Sequence, residues 1–257
     1  MGIILDIKNL TFAYEKKIIL DDVSFSLNEG EVGVLVGLNG AGKTTILKNI
    51  ANIVKTKQGE IILDGKNKRE YKPNEYARKI AYVPQIINYE SATVIDTILI
   101  GRIPTFYTPS KEDYEKVYEV IEQLHIEHLA MENVQKLSGG EKQKIAIARA
   151  LAGEAKLMLF DEPTANLDLK GQYETIGLIR SLKDKGVSVL ISMHDINHAL
   201  DVGDNFIVLK DKKVLCSGNE EIMTPSLLHE VYGMDFEMVE HGNKKHFHIK
   251  GDHEHDE

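Results

Sequence analysis

The run Gly37-Leu38-Asn39-Gly40-Ala41-Gly42-Lys43-Thr44 spaces its residues as G-x-x-x-x-G-K-[ST]. Each type suits a polyphosphate. The glycines let the backbone approach closely with its N–H groups turned inward. Lys43 would reach the β- and γ-phosphates, and the Thr44 hydroxyl would ligate Mg²⁺. Chance produces this pattern in roughly 1% of chains of this length. Here it follows the apolar run 32–36 and opens a helical run, which is the context it requires. Leu157-Met158-Leu159-Phe160-Asp161-Glu162 supplies the complementary half of a hydrolytic site. Asp161 ends a buried strand, where open α/β sheets bind ligands, and would hold Mg²⁺ through water. Glu162 would polarise the attacking water as general base. A helix-capping acid pair is the plainer alternative, and the P-loop weighs against it. His194 follows the run 187–192 and so lies on the same sheet edge, where it could contact the γ-phosphate and orient the water. A lone histidine is more often structural, and spacing alone leaves both roles open.

Leu137-Ser138-Gly139-Gly140-Glu141 opens a helix with two glycines, a hydroxyl and a carboxylate. A helix N-terminus carries unpaired N–H groups and partial positive charge, and so binds phosphate. Ser138 and Glu141 also fit a capping box, an ordinary helix start. The P-loop upstream and the Asp-Glu pair downstream favour the phosphate reading.

The elements that must position these groups follow from periodicity. Strands are expected at 3–7, 18–27, 32–36 and 60–63, with Asn28-Glu29-Gly30-Glu31 as a turn. A helix over 43–51 follows the glycine loop, and a second strand set covers 157–161, 187–192 and 206–209. Strands alternating with helices imply an α/β fold with a largely parallel, helix-covered sheet. From about 93 to 151 the patterns turn helical, with Tyr114, Val117, Tyr118, Ile121 and Leu124 on one expected apolar face. This reads as a helical subdomain inserted into the core.

The 257 residues can bury a substantial core, with no run as long as a membrane span and no basic-then-apolar start of a signal-peptide kind. The single Cys216 excludes an internal disulfide framework and suits a reducing compartment. Net charge of −9 argues against nucleic acid as partner, because that surface needs cations to replace counterions.

Taken together, these residues resemble the ATP-binding subunit of ABC transporters. The likeness runs to about Val239. It takes in the P-loop 37–45, Gln85 in Tyr82-Val83-Pro84-Gln85, the signature 137–141 with Gln143, Asp161-Glu162, Ala165-Asn166-Leu167-Asp168 and His194, in the family's order and spacing. It implies a P-loop ATPase core with a mostly parallel sheet, an N-terminal antiparallel β-subdomain and an inserted α-helical subdomain. The ATPase domain would cover 1–240, with core 1–88 and 155–240 and helical part about 89–154, leaving a tail at 241–257. ATP and Mg²⁺ are the implied cofactors. Gly37, Asn39, Gly40, Ala41, Gly42, Lys43, Thr44 and Thr45 would cradle phosphate. Tyr14 would stack on adenine, with Phe12 the better core candidate because it alternates away from Tyr14. Gln85 would ligate Mg²⁺ and sense the γ-phosphate beside the permease. Ser138, Gly139, Gly140 and Glu141, with Asp168, would meet ATP held by the opposite subunit, so two subunits must pack head to tail. The simplest pair is a homodimer at the cytoplasmic face of the membrane. Permease subunits and, indirectly, an extracytoplasmic binding protein would be its partners.

A finer likeness lies in Thr93-Val94-Ile95-Asp96-Thr97-Ile98-Leu99-Ile100-Gly101-Arg102-Ile103-Pro104. It is similar to a stretch of the importers for iron–siderophores, haem and vitamin B12, at the groove for the permease's coupling helix. Those proteins often have His after the Pro; this chain has Thr105. Zinc, manganese or molybdate importers, an exporter motor and an iron–sulfur assembly ATPase are the alternatives. His241, His246, His248, His253 and His255 crowd the tail, whose end from Gly251 is expected to lack fixed structure. They could bind Zn²⁺, Ni²⁺ or Co²⁺ and sense cytosolic metal, or simply form a solvated, adventitiously chelating tail.

Overall fold

The computed structural model describes residues 2–87, 89–105, 108–242 and 244–250. Two long strands, β1 (Ile3–Tyr14) and β2 (Lys17–Asn28), open the chain. β3 (Val32–Val36) leads through the glycine loop into α1 (Lys43–Ile50). β4 (Gln58–Leu63), β5 (Lys66–Asn67), α2 (Pro73–Ala77) and β6 (Ile80–Val83) follow. The middle is helical: α3 (Val94–Leu99), α4 (Lys111–Gln123) and α5 (Gly139–Ala152). The chain then alternates through β7 (Leu157–Asp161), α6 (Leu169–Asp184), β8 (Ser188–Ser192) and α7 (Ile196–Val202). β9 (Asn205–Lys210), β10 (Lys213–Gly218), α8 (Pro225–Tyr232), β11 (Phe236–His241) and β12 (Lys244–Ile249) complete it.

The central sheet has six strands in the order β10-β9-β3-β8-β7-β6. All its neighbours run parallel except β10 with β9. Every residue of β3, β7 and β8 is buried. Helices on both faces explain why these strands read as continuous apolar runs. Val32, Val34 and Val36 share a core with Ile176 and Ile179 of α6, while Leu35 shares one with Ile46, Leu47 and Ile50 of α1. Because β3, β7 and β8 are parallel, Val36, Asp161 and Ser192 end on one edge. A separate sheet, ordered β2-β1-β4-β5 and antiparallel throughout, is the expected N-terminal β-subdomain.

β1 runs to Tyr14, beyond the expected 3–7. A register shift between Ile7 and Leu10, with Asn9 at φ 50°, bulges the strand there. The bulge breaks the alternation and hides the continuation.

The helical subdomain has its own core of Val94, Ile98, Val117, Ile121, Ile145 and Ala148. The expected apolar face of α4 is corrected. Tyr114 and Tyr118 are 39% and 54% exposed, whereas Val120 is buried. The buried stripe is Asp113, Val117, Val120, Ile121 and Leu124, one face at helical spacing, with the tyrosines on its flank. Asp113 takes an inward place because Arg102 Nε donates to it at 3.0 Å. Arg102 Nη1 also donates to Ala152 O at 3.0 Å and Glu154 at 2.8 Å. Next to it, a Cβ at Gly101 would lie 2.1 Å from Arg149 O, so only glycine lets this segment lie against α5.

A boundary at 240 would cut through a hairpin, since β11 pairs antiparallel with β12. Phe247 is 4% exposed and joins the main core. Asn197 of α7 fixes it at two points: Nδ2 donates to Phe247 O at 3.1 Å, and Phe247 N donates to Oδ1 at 2.8 Å. His246 and His248 share the opposite face of β12. His253 and His255 lie outside the described residues. Among those described, no cluster of three His, Cys, Asp or Glu side chains is placed to hold a metal.

Candidate active site

The glycine loop leaves β3 through Gly37, at φ 150°, where a Cβ would lie 2.4 Å from Leu209 O. It enters α1 through Gly42, at φ 108°, where a Cβ would meet Leu20 at 2.5 Å. Both positions need glycine for left-handed backbone and for space. Ala41 N donates to Leu38 O at 3.1 Å and closes the turn. Lys43 is buried, and its Nζ donates to Gly37 O at 2.7 Å and Leu38 O at 3.3 Å. Burial lowers its pKa, against the opposing charges of Glu162 and Asp161. A cavity of about 240 Å³ opens over the loop, lined by Asn39, Gly40, Gly42, Lys43, Thr44, Thr45 and Glu162. Lys17 and Lys212 add cations to its rim.

Asp161 is the hub beneath this cavity. Its Oδ1 accepts from Thr44 Oγ1 at 2.9 Å and Ser192 Oγ at 2.9 Å, and its Oδ2 from Tyr82 OH at 3.1 Å. Burial and this carboxylate push the Tyr82 phenol above its usual pKa, so it stays a donor. Glu162 follows at φ 49°, a left-handed conformation rare outside glycine. Its N–H donates to Ser192 Oγ at 3.0 Å and Ser192 O at 3.2 Å, which secures that turn. Such strain is held in place where a side chain must be aimed. The carboxylate aims outward between two groups: Gln85 Nε2 donates to Oε2 at 2.7 Å, and His194 Nε2 lies 2.6 Å from Oε1. Gln85, Glu162 and His194, far apart in sequence, therefore form one polar unit at the mouth of the phosphate loop. A carboxylate so oriented can accept a proton from water, and the hydroxyl and carboxylate oxygens of Thr44 and Asp161 form a hard donor set of the kind Mg²⁺ takes.

Tyr14, at the end of β1, is 47% exposed. It pairs across β1–β2 with Lys17 of the cavity rim. Phe12 is the buried partner, as expected, but not because it alternates away. The two rings meet edge to face at 4.9 Å, since residues two apart share a strand face.

The signature residues lie elsewhere. Ser138 caps α5 in a full capping box: Glu141 N donates to Ser138 Oγ at 3.3 Å, and Ser138 N donates to Glu141 at 2.8 Å. The Glu141 carboxylate also accepts from Ser138 Oγ at 2.7 Å, and these bonds hold its pKa low. Asp168 caps α6 through Gly171 N at 2.8 Å. A cavity of about 420 Å³ brings Ser138, Gly139, Gly140 and Glu141 together with Asn166 and Asp168. It shares no lining residue with the cavity over the phosphate loop.

Sequence reasoning missed Ser192, Tyr82 as a ligand of Asp161, and the rim lysines. Asp161 stands directly opposite Ser192 in the β7–β8 register, so the shared strand ending was the available signal. The rim lysines arise from turns of separate sheets and leave no local pattern.

Comparison with known proteins agrees with this geometry. The family described as ABC transporter matches residues 20–165. The chain belongs to the ABC transporter ATPases. An uncharacterised ABC transporter ATP-binding protein of Methanocaldococcus jannaschii is 40% identical over 90% of this chain and 92% of its own. The iron(3+)-hydroxamate import ATP-binding protein FhuC of Bacillus subtilis is 34% identical over 91% of this chain and 90% of its own. Among solved structures, an ABC transporter described as of metal-chelate type, in an inward-facing conformation, superposes with a TM-score of 0.84. It is 29% identical, and 98% of each chain is covered. The ABC ATPase binds ATP and couples its hydrolysis to transport, and no helix among its described residues is long and apolar enough to cross a membrane.

Proposed function

We propose that this ATPase is the motor of an importer for a metal chelate such as an iron–siderophore, haem or cobalamin. It would act as a homodimer on the cytoplasmic face of the membrane, below permease subunits fed by an extracytoplasmic binding protein. The observation that carries the two-subunit reading is the separation of the phosphate-loop cavity from the signature cavity. The phosphate loop and the signature line cavities with no residue in common, which supports reading each as half of a site that a second copy completes head to tail. ATP joins the two copies and hydrolysis frees them, which turns chemistry into opening and closing.

Within each site, the P-loop N–H groups and Lys43 hold the phosphates, and Tyr14 flanks the adenine. Thr44, Asp161 and Gln85 would hold Mg²⁺, whose charge offsets that of the phosphates. Glu162 takes the proton of the attacking water, and His194 and Gln85 keep its carboxylate aimed. Ser138, Gly139, Gly140 and the Asp168 loop close over the nucleotide from the other copy. The cargo class is supported by the hydroxamate-import relative, the metal-chelate transporter neighbour and the segment 93–104. In that segment Arg102 is spent on the interior, while Ile100 and Ile103 are 48% and 54% exposed. Ile100 borders a groove of about 230 Å³ with Ala77, Ile80 and Arg149, which supports contact with a permease segment there. Affinity purification from detergent-solubilised membranes, followed by mass spectrometry, tests this reading. Recovery of a polytopic permease of the metal-chelate class is expected; recovery only with soluble assembly proteins would overturn the importer assignment.

A further inference from the structure

A further cavity lies at the end of α1 away from the phosphate loop, between the turn after that helix and residues 66–76. Its volume is about 310 Å³, at the lower end of small-molecule sites. Ile61 and Tyr76 are buried in its floor and Tyr71 is half-buried in its wall. Both tyrosine hydroxyls donate into the protein, Tyr71 to Leu63 O and Tyr76 to Ile50 O, each at 2.7 Å. The two rings meet edge to face at 5.5 Å, and both residues line the cavity.

Three cations converge on this cavity: Lys55, Lys68 and Arg69. None of them has a carboxylate partner among the described residues. Lys68 Nζ donates to Asn49 O at 2.5 Å and Thr56 Oγ1 at 3.3 Å, both uncharged, and has a third N–H to give. Arg69 Nη2 donates to Gly59 O at 3.2 Å. The carboxylates nearby are engaged elsewhere, Glu75 by Lys66 at 3.5 Å and Asp64 by Lys79 at 2.7 Å. No aspartate or glutamate lines the cavity, so the three charges face it without a carboxylate between them. Burial and the neighbouring Arg69 charge lower the Lys68 pKa to about 8, which an anion would reverse.

We propose that this cavity binds a phosphate ester through Lys55, Lys68 and Arg69, with the ester's organic part against Ile61, Tyr71 and Tyr76. The ester could be a soluble metabolite or an anionic lipid headgroup, since both present the same group. Lys68 gives the site a line to the nucleotide. It caps Asn49 O at the C-terminal end of α1, and Asn49 Nδ2 donates to Thr45 O at 2.8 Å in the phosphate loop's own helix.

The test uses the full chain saturated with Mg-ADP, so that the phosphate loop is filled, with isoleucine δ1 methyls labelled for NMR. The Ile46 methyl, beside the phosphate loop, reports that ADP has bound before any probe is added. sn-Glycerol 3-phosphate is the soluble probe, and phosphatidylglycerol vesicles against phosphatidylcholine vesicles are the membrane probe. A saturable shift at Ile61 indicates the soluble source; sedimentation only with phosphatidylglycerol vesicles indicates a headgroup. Either binding should weaken by about tenfold or more in Arg69→Gln and in Lys55→Gln, which leave the α1 cap intact. Binding to neither probe, equal affinity in those variants, or an equal Ile61 shift with sodium chloride at matched ionic strength would overturn the proposal.

Discussion

Replacing Phe247 with alanine tests whether the C-terminal hairpin is part of the ATPase domain. Phe247 is 4% exposed and joins the core containing Met193, Ala199 and Val202, beside the loop that carries His194. Removing a buried phenylalanine loses its transfer energy and leaves a cavity, together about 3 kcal/mol or more. For a chain of this size that lowers the melting midpoint by roughly 6–12 °C. Ile249, two residues on, is 60% exposed, and its alanine variant should stay within about 0.5 kcal/mol of wild type. The assay is thermal unfolding followed by circular dichroism, with urea titration as a second probe. A Phe247→Ala midpoint no lower than that of Ile249→Ala would refute the packing argument and return the segment to a loose tail.

Lys43→Ala should weaken ATP binding by about a hundredfold, from the loss of charge-assisted bonds to phosphate, as read by fluorescent-nucleotide titration; a change under threefold would contradict the site. Ser138→Arg should leave ATP binding by one subunit unchanged and abolish ATP-dependent dimers in analytical ultracentrifugation, and intact dimers would sink the shared-site reading. Lys68 has its pKa lowered from 10.5 unfolded to about 8 folded, so between those values the unfolded chain binds the extra proton. Wild type should therefore gain stability relative to Lys68→Gln as pH rises across that window, measured by urea titration at either end; a pH-independent difference would mean that the ammonium is not desolvated.

The parts of the site that sequence reveals are the local ones. The phosphate loop, the Asp161-Glu162 pair and the Ser138 cap each sit within a few residues of a strand end or helix start, so spacing alone places them. β3 and β7 were equally legible, because burial on both faces makes them plain apolar runs. What sequence hides is set by register. Tyr82 and Ser192 reach Asp161 across neighbouring strands from 79 and 31 residues away. Asp113 is held inward by Arg102 from a separate segment, and the buried face of α4 passes beside Tyr114 and Tyr118 rather than through them. The left-handed turn at Asn9 conceals half of β1. The hairpin hides in a polar stretch, because Phe247 is the one large apolar side chain that its last strand buries.

The most direct test of the account is Glu162→Gln, which keeps the shape and removes the base. ATP turnover and ATP-dependent association should be measured on the same preparation. The account predicts a loss of turnover of about a hundredfold or more, with ATP now holding a stable dimer. Turnover within about tenfold of wild type, or no dimer with ATP bound, would contradict Glu162 as the base and the two-copy site built around it.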